Sequence, residues 1–224
     1  MSADEISSYP LLLNLEGKKC VVIGGGEVAT RKVRSLCDAG AEIMVVAPDV
    51  GEEIEGLAEE GVVKWFNRTY REGDFKGAVL GFACTDDASL NSRLGEAGRQ
   101  EGALMNVVTG GEDSDFTVPA VFSRGRLTIT VSTEGVSPAL ARRIKEELSY
   151  MYGQEWEKTL DFLELFREML KSYLPDYTNR ERIYRKVVRD EGIINDIQNL
   201  RDDEFKSYCH HLVTQLTGGT PDED

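Results

Sequence analysis

The run Lys19-Cys20-Val21-Val22-Ile23 is largely apolar and breaks on Gly24-Gly25-Gly26, and from Glu27 onward Ala29, Val33, Leu36 and Cys37 recur at helical spacing. A buried strand, a glycine turn and an amphipathic helix in that order leave few folds open. Such a turn brings backbone N–H groups up to an anion at the positive end of the helix dipole. The pattern is G-x-G-x-x-A. Gly24 makes the turn, Gly26 removes a side chain that would block phosphates, and Ala29 lets the helix pack closely on the strand. Gly40 stands where a left-handed C-cap is wanted. Residues 43–47 form a second strand, apolar throughout, as a strand covered on both faces requires.

The alternation continues with a polar helix over 52–60, strands at 62–66 and 78–83, a helix over 88–101 and a strand at 103–108. This succession predicts an α/β fold with an open, mostly parallel, Rossmann-like sheet. A Gly- and Asp-containing loop at 109–114 ends it. Two strand candidates follow, 116–122 and 126–131, set apart by Ser123-Arg124-Gly125 as in a hairpin. Ser137 and Pro138 supply the cap and first turn of a helix carrying Leu140, Ile144, Leu148 and Met151. The remainder reads as helical. Trp156, Leu160, Leu163, Phe166 and Leu170 form one stripe ending near Pro175; Ile183, Val187 and Val188 belong to a second helix, and Phe205, Leu212 and Leu216 to a last one. At 224 residues, two domains are the default.

Charge narrows the partners. Twenty-six basic against forty acidic residues give a net charge of −14, which repels nucleic acid and anionic membranes. No run is long and apolar enough to span a bilayer, and Asp4, Glu5 and Glu16 do not resemble a secretory leader, so a cytoplasmic location is expected. The four cysteines form no CxxC pair, and Cys20, Cys37 and Cys84 are expected as small core residues. His210 and His211 are adjacent, so on a helix they point about 100° apart and do not share a metal face; no metal site is expected. The helical spacing of Trp156, Phe162 and Phe166 favours core packing over contact with a flat ligand.

Near the glycine turn, Asp49 at the end of the second strand has two readings. It either meets the adenosine ribose, which favours NAD over NADP, or caps the following helix. Arg31 and Lys32 are either phosphate contacts or solvated surface.

Longer strings carry a family resemblance. Tyr9-Pro10-Leu11, the turn from Gly24 to Ala29 with Arg31-Lys32, Val46-Ala47-Pro48, Cys84-Thr85-Asp86-Asp87 with Asn91, Asn106-Val107-Val108, the run from Asp115 to Ala120 and the run from Val131 to Arg142 together resemble the precorrin-2 dehydrogenase/sirohydrochlorin ferrochelatase family. The likeness is strong from Tyr9 to about Leu148 and weaker beyond. It implies NAD-dependent oxidation of precorrin-2 to sirohydrochlorin in siroheme biosynthesis, with ferrous iron insertion in some members. It also implies a homodimer built from an NAD-binding domain (1–113), a dimerisation and cleft region with a small hairpin and helix (114–150) and a helical domain (151–224). On that pattern Gly24, Gly26, Glu27, Val28, Pro48, Asp49, Thr85 and Asp86 border the dinucleotide. Asn106, Arg124, Ser132, Thr133, Ser137 and Arg142 lie on the substrate side. Arg124, Arg126, Arg142, Arg143 and Lys145 offer counter-charge to a polycarboxylate, or else balance neighbouring acids on a solvated face.

One departure bears on the chemistry. Family members commonly read Asn-Val-Val-Asp at the end of the fifth strand, where this chain has Thr109. A threonine hydroxyl hydrogen-bonds but offers no carboxylate to take a proton or steady a metal ion. Thr109 and Asp115 are therefore the catalytic candidates: either Asp113 or Asp115 substitutes, or one of the two activities is reduced or absent, with dehydrogenation expected to survive and iron insertion doubtful. Glu134 in place of a usual glycine, and Gly110-Gly111 in place of a polar-proline turn, fall in the same region. Two other accounts stay open. One is a nucleotide- and tetrapyrrole-binding regulatory module without turnover; the other is an oxidoreductase for a different substrate, though no Tyr-x-x-x-Lys dyad is present.

Overall fold

Five parallel strands, β1 (Lys19–Ile23), β2 (Glu42–Ala47), β3 (Val63–Asn67), β4 (Leu80–Ala83) and β5 (Leu104–Val107), lie side by side in the order β3-β2-β1-β4-β5. They belong to the first of two compact units, Met1–Val118 and Pro119–Asp224, of a computed structural model that describes residues 8–108 and 114–218. The pleat divides β1 between two cores. Cys20 and Val22 face Ala29, Val33 and Leu36 of α1 (Glu27–Asp38) and Ile54 of α2 (Glu52–Glu59). Val21 and Ile23 face Leu94 of α3 (Ala88–Gln100) with Phe75, Ala78 and Met105. Strands covered on both sides read as continuous apolar runs, which is how the sequence writes them. Strand order reverses between β1 and β4, so the carboxyl ends of these two strands open a crevice where α/β folds bind ligands.

The crossover from β3 to β4 has no helix. Residues 68–79 are held instead by Asp74, whose carboxylate accepts from Arg68 Nη1 and Nη2 at 2.8 and 2.7 Å and from the Arg71 amide at 2.8 Å. Lys19 Nζ donates to the carbonyls of Asp74 and Lys76, fastening this loop to the amino end of β1. Burial alone raises the pKa of Asp74, but the Arg68 and Arg71 hydrogen bonds and the charges of Arg68 and Lys19 outweigh it and hold the carboxyl below its ordinary 3.8. A carboxylate with a depressed folded pKa adds stability that is complete above the unfolded pKa and is lost as pH falls through the folded value. Urea melts are expected to show the wild type ahead of Asp74→Asn at about pH 6, with the gap narrowing towards about pH 3. A gap that does not depend on pH would contradict this.

In the second unit β6 (Ala120–Arg124) and β7 (Leu127–Val131) form an antiparallel pair. Arg124 lies opposite Leu127, so the hairpin turns on Gly125-Arg126, with Gly125 at φ +52. Glycine at the first position of a two-residue loop is what a type II′ hairpin needs. The first of these strands was expected over 116–122 and starts four residues later. Residues 114–116 are drawn onto β5 by hydrogen bonds, and Pro119 has no amide to add to a ladder. α4 (Pro138–Met151) packs on β6 and β7, capped by Ser137 Oγ, which accepts from the Leu140 amide.

The helical remainder has one more α-helix than the sequence stripes suggested: α5 (Glu155–Tyr173), α6 (Tyr177–Arg189), α7 (Glu191–Asn199) and α8 (Phe205–Thr217), with a 3-10 turn at Asp202–Glu204. Asp190 separates α6 from α7, its carboxylate accepting from the amides of Gly192 and Ile193. The apolar stripes meet in one core of Phe162, Phe166, Leu170, Ile183, Val187, Ile197, Leu212 and Val213. Phe162 and Phe166 are thus core residues, while Trp156 is half-buried against Tyr152. Cys20, Cys84 and Cys209 are buried and Cys37 partly so. His210 Nε2 lies 2.9 Å from Tyr173 Oη, and His211 is exposed. Among the described residues, no group of three or more His, Cys, Asp or Glu side chains is placed to hold a metal ion. No described helix is long and apolar enough to cross a membrane.

Candidate functional site

Each of the three consecutive glycines serves a different purpose. Gly24 follows β1 at φ +119, and a β-carbon there would run into the Cys84 carbonyl at the end of β4. A side chain on Gly25 would meet the Asp49 carbonyl and the Val50 backbone, and its own carbonyl accepts from the Gly51 amide at 3.1 Å. Gly26, by contrast, has no atom of the described residues beyond its chain neighbours within 4 Å of where its β-carbon would stand. It caps α1 in an extended conformation and offers no side chain to the first-turn amides. Those amides therefore have no side-chain cap at the positive end of the helix dipole. A donor set made of peptide N–H groups, over a position that the described residues leave empty, suits the pyrophosphate of a dinucleotide. Sequence reasoning assigned roles to Gly24 and Gly26 and passed over Gly25; the third glycine in an unbroken run was the available signal.

The neighbouring strand ends are fixed from behind. Trp65 Nε1 donates to the Ala47 carbonyl at 3.0 Å, holding the end of β2 where exposed Pro48 and Asp49 follow. α2 is capped by Gly51 without a side-chain bond, so Asp49 is not its cap, and the carboxylate is exposed next to the glycine turn. After β4, fully buried Asn91 clamps Thr85. Asn91 Oδ1 accepts from the Thr85 amide and hydroxyl, and its Nδ2 donates to the Thr85 carbonyl at 2.8 Å. Asp86 is exposed beside it, while Asp87 caps α3 by accepting from the Leu90 amide. An asparagine on the apolar side of a helix was the sign of this clamp. Glu27 is exposed at the head of α1, and Val28 is half-buried against the core. Burial pushes the Cys84 thiol up to about 11, which leaves it protonated and unreactive near neutral pH.

Asp115 is already engaged. Its Oδ2 accepts from the Met105 amide at 2.8 Å, Arg99 Nη1 lies 3.4 Å from its Oδ1, and its own amide donates to the Met105 carbonyl. Ser114 Oγ accepts from the Val107 amide at 2.9 Å. Together they latch residues 114–116 along the free edge of β5. A carboxylate committed on both oxygens to its own chain is poorly placed to accept a substrate proton. Asn106 Nδ2 donates to the Phe116 carbonyl, which fixes the same segment. Thr109 and Asp113 lie outside the described residues.

The candidates of the second unit line the loop between β7 and α4 and the hairpin. Ser132 Oγ accepts from the Glu134 amide, Thr133 Oγ1 from the Ser137 amide, and Ser137 Oγ from Leu140. Each hydroxyl keeps a proton to donate. Glu134 takes φ +50 and Gly135 φ +83. This explains why a glycine is usual at position 134, since a left-handed turn strains any residue with a β-carbon. Glu134→Gly is expected to stabilise the protein by about 0.5–1 kcal/mol, as strain relief exceeds the added chain entropy. A lowered urea midpoint would refute that reading. Arg124 is half-buried with its ring-side Nε unpartnered, its Nη1 bound to the Ser123 carbonyl and its guanidinium 5.7 Å from the Phe122 ring centroid. Arg142 is exposed on α4.

These features find their counterpart in known proteins. Residues 11–120 match a family described as putative NAD(P)-binding, and residues 124–149 match one described as the central region of a sirohaem biosynthesis protein. Siroheme synthase of Pseudomonas aeruginosa is 36% identical over 222 residues, covering 95% of this chain and 48% of that protein. Siroheme synthase of Nitrosococcus oceani is 33% identical over 180 residues, covering 80% and 38%. The chain thus spans about half the length, or less, of these curated relatives. The solved structure of SirC, a precorrin-2 dehydrogenase, superposes with a TM-score of 0.76 at 28% identity, covering 91% of this chain and all of that one. With two family matches in succession, relatives spread along nearly its whole length and a shared fold, the chain is similar throughout to the siroheme synthases and to a precorrin-2 dehydrogenase.

Proposed function

We propose that this protein oxidises precorrin-2 to sirohydrochlorin with NAD, in the cytoplasm, as a homodimer, and inserts iron poorly. The observation that carries the reading is the open position over Gly26, at the switch point of a fold shared with a precorrin-2 dehydrogenase. When bound, NAD supplies the hydride acceptor. The chain's own residues do the rest. Gly26 and the first-turn amides of α1 seat the pyrophosphate, with Glu27 and Val28 alongside. The Asp49 carboxylate hydrogen-bonds a ribose hydroxyl and repels an extra phosphate, which selects NAD. Thr85 and Asp86 border the nicotinamide end, with Asn91 holding Thr85 in place. Ser132, Thr133 and Ser137 donate to substrate carboxylates, and Arg124 and Arg142 neutralise them.

A threonine at position 109 offers a hydroxyl but no carboxylate, so water takes the proton, because the conjugation gained in the product eases its release. Dimer formation is supported by α4, whose Leu140, Tyr150 and Met151 are exposed while Ala141 is its one buried residue, and by exposed Val121 on β6. A pair of strands and one helix leave too much apolar surface uncovered to stand alone.

Thr109 also favours a second reading, a binding module that takes up NAD and tetrapyrrole without turnover. Calorimetric titration of NAD followed by anaerobic turnover separates them. Tight NAD binding with no NADH on addition of precorrin-2 would sink the enzymatic reading and select the module.

A further inference from the structure

We infer that Lys32 is a specificity-determining residue, its ammonium fixing one carboxylate of the polyanionic substrate on the α1 side of β4. This deepens the function proposed above and rests on it. Lys32 lies five residues past Glu27, roughly 7.5 Å down the helix axis from the phosphate-binding turn. Its side chain does not extend into solvent. It reaches across to β4 and places Nζ 5.6 Å from the ring centroid of Phe82. Asp49 and Pro48 follow β2, on the other side of β1, so Lys32 points away from the adenosine end.

The patch it borders is apolar and ends at the sheet edge. Phe82 pairs in register with Asn106 on β5, so both side chains point to the same face, and the Phe116 ring stands edge-on to Phe82 at 5.5 Å. α1 and α2 cover this face over β1 and β2, whereas Leu104 on β5 and Val118 beyond are exposed. Phe82 is thus buried beneath half-buried Phe116 and Asn106, and Lys32 stands at the edge of this patch as its one cation.

That cation is half-buried, and among the described residues no carboxylate or hydrogen-bond acceptor partners it. Burial lowers its pKa, with the charge of Arg31 adding to the effect and the Cys84 thiol at the end of β4 opposing it. Holding an unpaired cation partly out of water costs free energy that a methionine of similar length would not. An incoming anion recovers it. The dinucleotide phosphates are met by the amides at the head of α1, which leaves a substrate carboxylate as the partner.

The test uses the full chain with Lys32→Met, Lys32→Arg and Arg31→Met. Lys32→Met is expected to raise KM for precorrin-2 about tenfold to a hundredfold, the range of a lost charge-assisted hydrogen bond, while NAD affinity stays within about twofold. Lys32→Arg recovers most of the loss, and Arg31→Met shows none of it. In the wild type, KM climbs with pH before the ordinary lysine range is reached, as the ammonium loses its proton. The Lys32→Met profile lacks that limb. A merely structural lysine predicts a lower melting temperature and an unchanged KM, whereas here melting is unchanged or higher. Loss of NAD affinity in step with KM, or no change in KM, overturns the inference. Uroporphyrin, a carboxylate-bearing macrocycle that needs no turnover, serves as a binding probe by fluorescence quenching. If the wild type makes no NADH, the functional reading fails on its own, and the effect of Lys32→Met on uroporphyrin binding still decides the role of the lysine.

Discussion

Gly25→Ala is expected to lose NAD binding and about 2–3 kcal/mol of stability together, whereas Gly26→Ala loses NAD binding and no more than about 1 kcal/mol, the cost of exchanging an N-cap glycine for alanine. The difference follows from what stands over each α-carbon. A methyl at Gly25 meets the Asp49 carbonyl and the Val50 backbone, neither of which moves without opening the turn after β2. Forced overpacking of this kind typically costs that amount. A methyl at Gly26 meets no atom of the described residues beyond its chain neighbours, and the residue already holds φ −79, which alanine adopts freely. Its larger cost is felt by a ligand at the head of α1, and a tenfold or larger rise in the NAD dissociation constant is expected, about 1.4 kcal/mol or more. Urea melts and NAD titrations of the two variants check both halves. A Gly26→Ala protein that binds NAD normally would remove the pyrophosphate from this position.

Thr109→Asp is expected to raise the rate of ferrous iron insertion into sirohydrochlorin by about a hundredfold, the usual worth of a positioned proton acceptor, with a smaller change in NADH production. Metallation releases two protons from the ring, and a carboxylate both accepts protons and attracts the entering cation. Dehydrogenation has a product whose conjugation already drives proton loss. Asp115 is not expected to compensate, because the Met105 amide and Arg99 hold its carboxylate against β5. Asp113→Asn in the natural background is the companion variant, and iron insertion abolished by it would return the carboxylate role to position 113.

Much of this fold was legible because local and long-range requirements agree. The apolar runs at β1 and β2 mark strands covered twice, and the glycine run marks where the end of β1 closes on the segments that follow β2 and β4. What stayed hidden depends on partners distant in sequence. Nothing local shows that residues 114–116 will bind β5, so the strand expected from 116 begins at Ala120. The α6 to α7 break rests on Asp190, a side chain equally suited to a solvated helix face. At the candidate site, pattern alone singles out Gly24, Gly26 and the Thr85 region for proposal. Gly25, Asn91 and the engagement of Asp115 needed coordinates, since each is defined by the atom it meets. The odd glutamate at 134 was visible as a departure, and its positive φ supplies the physical reason.

The central claim is NAD-dependent dehydrogenation by a chain that lacks the usual carboxylate at position 109. Anaerobic incubation of the purified protein with precorrin-2 and NAD, followed by absorbance of both NADH and the macrocycle, tests it most directly. NADH and sirohydrochlorin rising in equimolar amounts, with little conversion to siroheme when ferrous ion is then added, is the predicted result. NAD bound at the glycine turn with precorrin-2 left unoxidised would contradict it.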